Sequence, residues 1–229
     1  MIFITSPISY GLITLLGIVS FIHLRGKKEV PITNYFNNFF IWFFFYGLHW
    51  TVISIIILIR KGDVPPSFSF VFPLGHFFAL VALAYGTLIG LSLLRVGVNK
   101  SLFIIFLYSA VAVTGLILNI FSPYKILSKG YAYDFINANN LVEILWALPV
   151  MSAILFLAVI FWWQAVKNLT DSPVRQKNIF FAIVFSIIVL VVPTRNIFEG
   201  FYFALISEIL LTIAVLIATI SFFILKEKH

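Results

Sequence analysis

Three ionisable side chains sit where a membrane protein rarely keeps them. Glu208 lies in the last apolar run, Gly200 to Leu225, which reads GFYFALISEILLTIAVLIATISFFIL. His49 lies near the middle of FFFYGLHWTV, and His76 lies in FPLGHFFAL. Placing such groups at membrane depth costs at least a few kcal/mol, so each is expected to be buried in a bundle, paired, and a candidate for function. At a rise of about 1.5 Å per residue, His76 and Glu208 both come out roughly 10 Å below one interface, with His49 a few ångströms deeper. Two imidazoles and a carboxylate at similar depth suit proton or cation binding, a ligand pocket, or a two-His, one-carboxylate metal set with open positions. A bis-His haem site between adjacent helices is the other metal reading. No His-x-x-x-His or His-Glu-x-x-His spacing supports either, so the chemistry rests on depth alone.

Other residues belong to the same expectation or compete with it. Pro149 interrupts the fifth run and frees a carbonyl one turn earlier, so Pro149 and Trp146 are expected to line a pocket with Glu208, His76 and His49. Glu143, in NNLVEILWALPV, is expected at the positive end of its helix. Arg195 and Glu199 are expected to form an interfacial pair of little energy, or to stand at a cavity mouth. Gly86 and Gly90 form a GTLIG face through which another helix approaches closely. Trp162 and Trp163, with Tyr131 and Tyr133 at the opposite side, fit aromatic belts. Thr87, Ser92, Thr219 and Ser221 are the polar groups of the other half, which holds no deep acid or His. The polar pocket is therefore expected to open outward and end blind.

The elements that position these groups follow from composition. With 62% hydrophobic and 10% charged residues in 229, and a mean hydropathy of +1.11, the chain is too apolar for a soluble domain. Its runs are too long, and alternate too little, for the wall of a barrel. A hydrocarbon core about 30 Å thick needs roughly 20 apolar residues per helix. On that measure there are seven spans, at about 7–24, 36–59, 68–94, 102–121, 141–165, 178–193 and 200–225, in a single all-α transmembrane domain.

The net charge of +7 belongs to the connections, not to a nucleic-acid surface. Arg25, Lys27, Lys28, Arg95, Lys100, Lys167, Arg175, Lys177, Lys226 and Lys228 fall on one side, against Arg60, Lys61, Lys125, Lys129 and Arg195 on the other. Ten against five predicts a cytoplasmic C-terminus, an outer N-terminus and a multi-pass protein of the cell membrane. The first run has its charges after it rather than before, so it is expected to be a retained helix rather than a signal peptide. Cysteine is absent, which excludes thiol chemistry and Cys-ligated metals.

In architecture this arrangement resembles the serpentine receptors and microbial rhodopsins, the seven-helix sensory modules that precede histidine kinases, and sugar transporters of the three-plus-one-plus-three type. The last span holds no Lys, so a retinal Schiff base is excluded. The tail after Leu225 is four residues, and no connection is long enough to be a domain, so function is expected in the bundle. A loose repeat is conceivable, with spans one to three and five to seven as parallel units joined by the fourth. The leading expectation is a receptor-like or sensor-like protein, binding a small molecule from the outer side and signalling through a separate cytoplasmic or membrane partner. A proton- or cation-coupled transporter is the alternative. A metal or haem protein using His49 and His76 is the third reading, and an enzyme is the less expected outcome.

Overall fold

A computed structural model describes residues 6–25, 31–61, 63, 71–121, 124–129, 132–137, 140–168, 172–197 and 201–223. It holds seven helices: α1 (Ser6–Arg25), α2 (Pro31–Ile59), α3 (Val71–Leu93), α4 (Val98–Phe121), α5 (Asn140–Lys167), α6 (Ser172–Ile197) and α7 (Phe201–Phe223). Six are long and apolar enough to cross a membrane, and Leu205–Ala218 of α7 is a shorter apolar helix among the described residues. The chain is thus an all-α helical membrane bundle. It carries one addition that the sequence reading left as a plain connection: β1 (Tyr124–Lys129) and β2 (Ala132–Asn137) pair antiparallel between α4 and α5.

Local chemistry sets the helix ends. Pro stands at the first turn of α1, α2 and α6, where its missing N–H would have no intrahelical partner anyway. α3 ends in a Schellman cap: Val96 N–H donates to Leu91 O at 3.0 Å and Arg95 N–H to Ser92 O at 2.9 Å. The residue in the left-handed position is Arg95, with φ 57°, where glycine is the usual choice. From the neighbouring helix, Gln164 Nε2 donates to Leu93 O at 3.0 Å and satisfies a further carbonyl of that last turn.

The helices neighbour one another in the order α1, α2, α3, α5, α6, α7 and back to α1, with α4 docked outside on α3 and α5. Small residues decide the closest approaches. A Cβ on Gly17 would lie 2.7 Å from the Phe44 backbone, and one on Gly47 would lie 2.6 Å from Thr14 N, so the α1 and α2 backbones touch through two glycines. The GTLIG face receives α5, with Leu157 against Gly86 and Phe156 against Gly90. Between these seams the interior is aromatic. At the end of the bundle where α2 and α6 begin, Phe36, Phe181, Phe161 and Phe185 pack in succession at 6.3, 5.1 and 5.7 Å. They leave a cavity of about 10 Å³ with apolar walls, room for one water and nothing to hold it.

Candidate functional site

The opposite half of the bundle carries the polar interior, and α1 is its spine. Glu208 of α7 is 3% exposed and accepts a hydrogen bond from the buried Ser6 hydroxyl at the start of α1. One turn along, the hydroxyls of Ser9 and Thr212 meet at 3.1 Å. Thr212 also returns a bond to Glu208 O at 2.9 Å, so the α1–α7 seam is closed by side-chain hydrogen bonds.

From that seam α1 leads inward to the histidines. The Tyr10 ring stacks on Trp50 at 6.0 Å and meets Tyr46 edge-on at 6.1 Å. Trp50 in turn lies 6.1 Å from His76 and stacks on Phe72 at 6.0 Å. His49, its neighbour on α2, packs edge-on to Trp50 at 5.6 Å and to Phe78 at 5.8 Å. Both α2 rings press on one point of α3: a Cβ on Gly75 would lie 2.7 Å from Trp50 Nε1 and 2.8 Å from His49 Cδ2. Only a glycine there admits the pair. The buried Nε2 of His49 has no hydrogen-bond partner among the described residues, and neither has Trp50 Nε1.

His49 and His76 thus share one aromatic nest around Trp50, while Glu208 is held by Ser6, which stands one turn before Tyr10 on α1. No group of three His, Cys, Asp or Glu able to hold a metal occurs among the described residues, so the carboxylate and the two imidazoles do not gather as one ligand set. The nest draws on α1, α2, α3, α6 and α7, whereas α5 was expected in it. α5 instead packs on α3, α4 and α6, because Gly86 and Gly90 draw it to the other seam. Pro149 is buried there, its carbonyl accepting from Ser152 Oγ at 3.0 Å. The side chains of Trp146, Glu143, Arg195, Tyr133, Thr219 and Ser221, together with residues Glu199 and Tyr131, lie outside what the structure describes. Thr87 bonds the Leu83 carbonyl of its own helix, which accounts for its hydroxyl. Trp162 donates to Ser186 Oγ at 3.0 Å with much of its ring exposed.

Sequence reasoning missed Ser6, Ser9, Tyr10, Trp50 and Gly75. A faint signal existed, since Trp50 follows His49, Gly75 precedes His76, and Ser6 and Ser9, like Glu208 and Thr212, stand about one helical turn apart. Compared with known protein families and with curated proteins, the sequence matches no family model and no curated protein.

Proposed function

We propose that this is a receptor-like or sensor-like seven-helix protein of the cell membrane, with its N-terminus outside. Its outer polar nest recognises a small molecule and its state passes to a separate partner. The observation that supports this reading most is the buried Glu208, held by Ser6 across the α1–α7 seam one turn from Tyr10, whose ring stacks on the Trp50 that packs against both imidazoles. A switch requires an element with two arrangements, and a seam closed by a few hydroxyls and one carboxylate has few bonds to exchange between them. A ligand that favours one of them shifts the population by its differential affinity.

The test labels α1 and α7 with paired spin probes in nanodiscs and follows their separation while candidate small molecules are screened. A ligand-dependent change that is altered in Glu208→Gln supports the reading, and a separation indifferent to every ligand that binds overturns it. The same buried carboxylate favours a second reading, a small proton- or cation-coupled transporter. Uptake into liposomes driven by a proton gradient and abolished by Glu208→Gln decides for it. Haem or a divalent metal at His49 and His76 would show in a visible spectrum and in metal analysis of protein purified without chelator.

A further inference from the structure

The two buried nitrogens over Gly75 differ in kind, and the difference defines what would satisfy both. The indole Nε1–H of Trp50 only donates. His49 Nε2 is the second buried nitrogen without a partner among the described residues, and a neutral imidazole nitrogen accepts or donates according to its tautomer. Trp50 is 9% exposed, so a donor left unmet there is costly. A carbonyl only accepts and an ammonium only donates. A hydroxyl accepts from the indole and meets the imidazole nitrogen in either tautomer.

The approach to this point is apolar and faces outward from the bundle. Phe45 and Leu48 on α2 and Leu74 and Phe77 on α3 are 40%, 41%, 46% and 37% exposed, and they flank the seam above His49. Aromatic rings pack across the same seam: Trp42 meets Phe77 edge-on at 5.9 Å and Phe45 lies 5.9 Å from Phe78. Flat rings pack well on such edges and faces. In a bilayer this apolar face meets lipid, not water.

We propose that the α2–α3 seam over Gly75 binds a lipophilic aromatic alcohol of the phenol or quinol class, which enters from the bilayer and sets its hydroxyl between Trp50 Nε1 and His49 Nε2. This names a ligand class for the nest described above and rests on the receptor reading for that nest being a ligand site.

The probe is radiolabelled para-nonylphenol, titrated onto the full chain in nanodiscs and competed with unlabelled para-nonylphenol or nonylbenzene. Saturable binding is expected, with nonylbenzene competing at least about tenfold more weakly, the factor that one hydrogen bond of about 1.4 kcal/mol carries. Trp50→Phe keeps the ring and removes the donor, so it weakens binding by about tenfold. Gly75→Ala puts a methyl group where the two rings converge and abolishes binding. Elution profile and thermal melting establish that each variant is folded. Equal competition by the hydrocarbon, unchanged affinity in Trp50→Phe, or no saturable binding by the native chain overturns the proposal. If para-nonylphenol binds as expected while the α1–α7 separation does not move, the ligand class stands and the receptor reading falls. If that separation responds to another molecule while para-nonylphenol fails to bind, the outcome is reversed.

Discussion

The hydroxyl of Ser6 tests the role assigned to Glu208 most directly. Ser6→Ala removes one donor from a buried carboxylate without changing the shape of the seam. Hydrogen bonds between membrane helices are worth about 0.6 kcal/mol on average and up to about 1.7. The variant is therefore expected to lower thermal stability in detergent by about 1 kcal/mol, because the bond it removes is buried. Thr114→Val is the contrast: its hydroxyl bonds only the Ala110 carbonyl of its own helix on an exposed face, and its loss leaves the melting temperature nearly unchanged. Depth and chemical type marked Glu208, His49 and His76 from the sequence. Their partners were not legible, since Ser6 and Glu208 are 202 positions apart and nothing in local pattern registers α1 against α7. Trp50 escaped notice for a different reason. A tryptophan in an aromatic run looks like packing until its N–H is seen to lack an acceptor.

Helix ends and helix contacts carry their own expectations. Arg95 adopts φ 57° in the cap of α3, a conformation that costs an L-residue roughly 1 kcal/mol and glycine almost nothing. Arg95→Gly is expected to raise stability by up to that amount, read as a higher melting temperature, with Gln164 and the 6→1 bond retained. Among the glycines, Gly17→Ala drives a methyl into the Phe44 backbone, which no rotamer change relieves. It is expected to cost about 1–3 kcal/mol. Gly11→Ala meets nothing within 4 Å and is expected to be neutral or slightly stabilising through helix propensity. A stability comparison of the two variants checks whether close approach or flexibility explains glycine here. The seven helices were legible because a long apolar run admits no other spanning structure. Their limits were less so. α2 begins at Pro31 and not near 36, and α6 covers Ser172–Ile197 and not 178–193, because a helix continues past its apolar stretch through residues such as Asn34 and Arg175. The hairpin between α4 and α5 was invisible, as neither arm shows a run that a connection would not.

At the scale of the molecule, the absence of cysteine makes topology directly measurable. With the orientation predicted by the basic connections, Ser128→Cys in the hairpin is expected to react with an impermeant maleimide added outside intact cells. Lys100→Cys is expected to react only after permeabilisation. The opposite pattern would invert the bundle and move the Glu208 seam to the cytoplasmic side. α1, α2 and α3 pack in sequence, as do α5, α6 and α7, and the two sets meet at α3–α5 and at α1–α7. The first joint is glycine and hydrocarbon with the Gln164–Leu93 bond at its end, and the second is closed by hydroxyls and a carboxylate. α4 belongs to neither set and leans on the outside. A covalent link at that point is then a convenience of synthesis more than a support of the folded state. Two polypeptides cut within the hairpin and co-expressed should find each other in the lipid and co-purify as a complementing pair.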